Sequence, residues 1–160
     1  HGVAPDVVSF GKKTQVCGVM AGPRLDEVED NVFRMSSRIN STWGGGLVDM
    51  VRCQIILEVM ERDGLVEHAN AVGTHLLAQL TKLAEDMPAV VSNPRGRGLM
   101  CAFDLPDSKT RDHALTKARE HGLLMLSCGE VSLRVRPALT VSQAEVDEGV
   151  TRLRRALEAE

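Results

Sequence analysis

Aromatic side chains are almost missing from this sequence: Phe10, Phe33, Trp43 and Phe103 are all there are, and tyrosine is absent. Stacking platforms for nucleic-acid bases are therefore scarce, and a planar cofactor ring would have to be sandwiched by other groups or by a second chain. No run is long and apolar enough to span a bilayer, and no signal-peptide pattern opens the chain, so a membrane is not expected as partner. A surplus of one charge is lacking too. With 19 basic and 22 acidic residues the formal net charge is -3 and the signs are interspersed, which gives no reason to expect nucleic acid or an anionic surface. Cysteine is sparse. Cys17, Cys53, Cys101 and Cys128 form no C-x-x-C pair and no cluster with histidine. The expectation is free thiols in a reducing cytoplasm, with no metal site and no disulfide framework.

A chain of 160 residues, 43% hydrophobic and 26% charged, suits a soluble globular protein. It can bury roughly 70% of its unfolded surface, enough for one ordinary domain. Its most informative stretch is Asp6-Val7-Val8-Ser9-Phe10-Gly11-Lys12-Lys13. A short β-rich run ends at a glycine and at once presents a lysine, with Gly11 small enough to let another group approach. A lysine needs such a place to be reactive. With a reference pKa of about 10.4, its neutral form at pH 7 costs roughly 4.6 kcal/mol, which burial, a neighbouring cation such as Lys13 or imine formation must offset. Gly11-Lys12-Lys13-Thr14 also resembles the end of a phosphate loop, but Asp6 stands where its first glycine belongs, so a nucleotide P-loop is set aside.

The rest of the pattern alternates layers. A second strand is predicted at residues 16–21, and a short helix or loop at 25–33. Asn40-Ser41-Thr42-Trp43-Gly44-Gly45-Gly46 breaks periodicity and offers hydroxyls and open backbone to an anion just before a helix, although a hinge would look the same. Residues 47–62 form that helix, apolar round most of its circumference, as expected of a helix buried between two layers. Leu65, Ala69, Val72, Leu76, Leu80, Leu83 and Met87 make one stripe on the next helix, which Pro88 ends. Strands are expected at 89–92 and 99–103, joined by the breaker-rich turn 93–98, then a helix from Asp107 or Ser108 to about His121. Further strands are predicted at 123–126 and 131–135. Ser142-Gln143-Ala144-Glu145 reads as a capping box opening a last helix with Val146, Val150, Leu153 and Leu157 inward. This order implies a small α+β layer pair. Arg134 and Arg136 share a parity and so one face, which is either solvent-facing or aimed at a carboxylate.

Four motifs together carry a family resemblance: the run from Pro5 to Val19, Asn40-Ser41-Thr42-Trp43-Gly44-Gly45, Pro94-Arg95-Gly96-Arg97-Gly98-Leu99-Met100, and Leu133-Arg134-Val135-Arg136-Pro137-Ala138-Leu139-Thr140. Over nearly its whole length the chain resembles the C-terminal part of a class III, fold type I pyridoxal-phosphate aminotransferase. The resemblance implies an α/β parent fold, of which residues 1–46 would be the tail end of the large cofactor-binding domain. Residues 47–63 would be a connecting helix and 64–160 the small C-terminal α+β domain. It implies that Lys12 is the catalytic lysine that binds pyridoxal 5'-phosphate. Thr42 would reach the cofactor phosphate of the other subunit in a homodimer, and Arg134 would bind the substrate's carboxylate. Gly46 departs from the family's usual asparagine, and Ala138 from a frequent proline. The family's phosphate loop, stacking aromatic and pyridine-pairing acid lie upstream of the lysine, so the chain is expected to be a fragment.

The implied reaction moves the ε-amine of L-lysine to 2-oxoglutarate, giving 2-aminoadipate 6-semialdehyde and glutamate. Ornithine or 4-aminobutyrate are the alternative donors. A different expectation is an isolated C-terminal domain without cofactor or catalysis, in which residues 2–46, deprived of neighbouring strands, fray, rearrange or swap.

Overall fold

The computed structural model describes residues 2–39, 42 and 44–159 and divides into two compact units, His1–Asp63 and Gly64–Glu160. The first unit opens with β1 (Val7–Phe10), paired antiparallel with β2 (Gly18–Ala21) in the register Val7 to Ala21 and Phe10 to Gly18. Within residues 2–46, which were expected to fray, rearrange or swap, the structure describes this antiparallel hairpin. The ring of Phe10 covers Gly18 so closely that a Cβ there would lie 2.5 Å from it. Two 3-10 turns follow the strands, Lys12–Thr14 and Pro23–Glu27, the second standing where a short helix or loop was predicted.

Helix α1 (Leu47–Arg62) has the predicted limits, with Asp63 and the left-handed Gly64 ending it. Its burial does not follow the prediction. None of its residues is buried, and Leu47 and Val48 are 76% and 73% exposed. Within its unit α1 packs on the lysine-bearing turn Lys12–Thr14, and among the described residues none buries its remaining apolar faces.

The second unit is a four-stranded antiparallel sheet with three helices against it. Its elements are α2 (Leu65–Asp86), β3 (Ser92–Arg97), β4 (Met100–Asp104), α3 (Ser108–Glu120), β5 (Leu126–Cys128), β6 (Ser132–Val135) and α4 (Gln143–Glu158), with strand order β3-β4-β6-β5. This is the expected α+β class. The α2 stripe is buried at Val72, Leu76, Leu80 and Leu83, and meets Cys101, Phe103 and Leu133 from one sheet face and Val146 and Leu153 from α4. Gly73 lets α2 touch the β3-β4 turn: a Cβ there would stand 2.1 Å from the backbone carbon of Gly98.

Several strand boundaries differ from the sequence reading: β2 starts at Gly18, not at residue 16, β4 lies one residue later than 99–103, and residues 89–91, predicted as strand, precede β3. Residues 93–97, predicted as turn, lie in β3, and the turn shrinks to Gly98 and Leu99, with Gly98 at φ +54°. Pro94 is tolerated because β3 is an edge strand with a bulge between Ser92 and Arg95. Strand β5 begins only at Leu126, because the Leu123 amide donates to the Ala118 carbonyl at 2.8 Å and ties the chain to the end of α3. Arg136 falls just past β6, where Pro137 cannot extend the ladder.

Candidate active site

Lys12 leaves the end of β1 with φ +64°, in the left-handed region that a residue with a Cβ rarely occupies. The turn behind it is clamped: the Gln15 amide donates to the Lys12 carbonyl at 3.2 Å, and the Gln15 side-chain amide reaches the same oxygen at 3.4 Å. Arg52 of α1 donates to the Gln15 Oε1 at 3.2 Å, and the Thr14 hydroxyl donates to the Val16 carbonyl at 2.8 Å. What approaches Gly11 is Cys17, whose Sγ would be 2.7 Å from a Cβ at that position. An open cleft of about 530 Å³ lies beside the hairpin, lined by Phe10, Cys17 and Gly18 and by Met50, Cys53 and Leu57 of α1.

Both lysines are exposed. Among the described residues of this unit the ion pairs join Asp6 with Arg24, Arg24 with Glu27, Asp26 with Arg34, Asp49 with Arg52, and Arg62 with Asp63, and leave Lys12 out. Burial, one of the means by which such an amine becomes reactive, is therefore not supplied at Lys12. The adjoining Lys13 or imine formation is left to offset the cost of its neutral form. Thr42 is exposed in a turn of the same unit, so its hydroxyl is available to an anion. The neighbouring Asn40, Ser41 and Trp43 of that loop lie outside the described residues.

Arg134 belongs to the second unit. It sits mid-strand on β6, half-buried, opposite Ala102 of β4 and Leu126 of β5. Its face of the sheet is the one without helices, since Leu133 on the other face is wholly buried in the core. Arg136 is exposed beyond the strand. Next to Arg134 stands a polar cluster that the sequence reading missed. The Asp104 carboxylate accepts from the Ser132 hydroxyl at 2.5 Å, from Asn93 Nδ2 at 2.8 Å and from Arg95 Nη1 at 2.9 Å, while Arg95 Nη2 donates to Ser132 Oγ at 3.0 Å. These donors, the Ser132 hydroxyl foremost, hold the Asp104 carboxyl below the usual carboxylate range. The available signal was the two-residue spacing of Arg95 and Arg97, which marks a strand, in a segment rich in turn formers.

The fold is that of a known class. The family model described as aminotransferase class-III matches residues 1–157, and the chain belongs to that family. L-lysine-epsilon aminotransferase of Mycobacterium tuberculosis is 57% identical over 97% of this chain, and that of Streptomyces clavuligerus 51% identical over 99%. The solved lysine aminotransferase of M. tuberculosis superposes with a TM-score of 0.94 at 56% identity, covering 98% of this chain and 36% of its own. The chain spans about a third of the length of these curated relatives: 34% and 35%. The mouse mitochondrial 4-aminobutyrate aminotransferase is 34% identical over 84% of the chain.

Proposed function

We propose that this chain is the lysine-bearing part of a pyridoxal-phosphate aminotransferase that moves the ε-amino group of L-lysine to 2-oxoglutarate. Residues 1–46 are then the tail end of the large cofactor-binding domain, 47–63 a connecting helix, and 64–160 the small C-terminal domain. The observation that carries the donor assignment is the 57% identity to an L-lysine-epsilon aminotransferase, against 34% to a 4-aminobutyrate enzyme. Lys12 holds the cofactor and Thr42 binds its phosphate across a homodimer. Support for a dimer comes from α1, whose exposed Leu47, Val48 and Val51 are apolar surface of the kind a partner covers. The free cysteines favour the cytoplasm, and among the described residues no helix is long and apolar enough to cross a membrane.

When bound, pyridoxal phosphate supplies an aldehyde that accepts the amine and a ring that takes up electrons. Lys12 Nζ would hold that aldehyde and, once freed, would act as the general base and acid that takes a proton from the substrate carbon bearing the amine. Arg134 grips the lysine carboxylate with its planar fork, leaving the distant ε-amine free to react. The second half-reaction returns the amine to 2-oxoglutarate as glutamate, while the first releases 2-aminoadipate 6-semialdehyde.

Glutamate formation from 2-oxoglutarate by the full-length enzyme, with lysine, ornithine and 4-aminobutyrate as competing donors, tests the assignment. The expected result is a kcat/KM for lysine at least tenfold above the other two, about 1.4 kcal/mol of transition-state preference. Equal or reversed preference would move the chain to an ornithine or 4-aminobutyrate type.

A further inference from the structure

Between α2, α4 and the segment that leads into β5, the second unit holds a cavity of about 160 Å³, walled by Leu76, Leu80, Leu123, Met125, Val150 and Leu153. Leu76, Leu80 and Leu153 at its back are buried. Leu123, Met125 and Val150 are only half-buried, and Leu124 beside them is 83% exposed. Apolar side chains that would normally close on one another thus stand around a space. A hollow of about 150 Å³ with such a lining stays dry and accepts a ring the size of benzene.

Two further observations bear on what fills it. Gly149 lines the same space from within α4. A glycine inside a helix is destabilising relative to alanine, and no neighbour demands this one: a Cβ there would meet only Leu123 Cδ1, at 3.9 Å. The missing methyl therefore widens the cavity without easing any contact. The second observation is charge. Glu145 borders the cavity, but its carboxylate is engaged in the α4 capping box, accepting from the Ser142 amide and hydroxyl at 2.8 Å. Arg134 also borders it, although its strand position belongs to the opposite, helix-free face of the sheet. Arg136 is exposed at the mouth, and among the described residues it takes part in no ion pair.

We propose that this cavity is a binding site, separate from the substrate site, for a six-carbon ring that bears one carboxylate. The ring fills the apolar hollow, and the carboxylate stays at the mouth, where the Arg136 guanidinium pairs with it. A neutral ring gains only the apolar part of this.

Benzoate is the probe, titrated into the full-length enzyme by calorimetry, with benzyl alcohol as the neutral comparison. Benzoate is expected to bind in the millimolar range and to leave KM for lysine unchanged. Arg136→Gln should weaken benzoate roughly threefold to fivefold, the scale of an exposed ion pair, with benzyl alcohol unaffected. Gly149→Leu, which fills the cavity from its wall, should weaken both at least about tenfold while kcat/KM for lysine stays the same. If that variant does not fold, Gly149→Ala, for which there is room, should weaken both by roughly twofold to threefold. No benzoate binding to wild type, binding unchanged in the Gly149 variant, or an Arg136→Gln variant that treats acid and alcohol alike would each overturn the proposal. Benzoate that lysine displaces lies in the substrate site, and that result overturns it too.

Discussion

Lys12 combines two demands that conflict. The proposed function has the amine presented at the end of β1, and the tight turn clamped by Gln15 requires a left-handed backbone there. For a residue with a Cβ this conformation costs about 1–2 kcal/mol, which asparagine pays in smaller part. Lys12→Asn is therefore predicted to raise the unfolding stability of the cofactor-free protein by up to about 1 kcal/mol over Lys12→Ala, read from urea midpoints. Equal midpoints for the two variants would mean that the turn carries no strain. The sequence showed a strand, a glycine and a lysine, and so the place of the amine. It did not show the sign of φ, because nothing in a lysine announces a left-handed backbone. Nor did it show what crowds Gly11, since Cys17 comes close only through the β1-β2 register.

Helices α3 and α4 begin on carboxylates that accept backbone N–H groups. Asp107 caps α3 by accepting from the Thr110 amide at 2.7 Å, and Glu145 closes a capping box on the Ser142 amide at 2.8 Å. Those amide bonds lower both carboxyls below their ordinary values. A carboxyl lowered in the folded state adds stability above its unfolded pKa of about 4, and that stability is lost as pH falls through the folded value. The thermal midpoint is thus expected to be flat from about pH 7 to about pH 5 and to fall below about pH 4. Asp107→Asn with Glu145→Gln should make that acid decline shallower. An unaltered slope would place the acid sensitivity elsewhere. Both caps were legible, because capping depends on residues three apart in one segment. The strand limits were less so: Pro94 and Gly96 look like breakers until the bulged edge strand that tolerates them is known.

At the scale of the whole molecule, the second unit closes its own core while α1 in the first keeps apolar faces open. The α1 pattern was read as burial between two layers because an all-round apolar helix normally has both. A pattern records what a helix is suited to meet, not whether the same chain supplies it. The chain spans about a third of its relatives' length, and the proposed function assigns the bare α1 surface to contact with further protein. The most direct measurement of the central claim is to trap pyridoxal phosphate on the full-length enzyme with borohydride and locate the adduct by peptide mass spectrometry. Lys12 is predicted to carry it near-stoichiometrically, with Lys13, Lys82, Lys109 and Lys117 as internal controls. Labelling of Lys12 no greater than at those four would contradict the account.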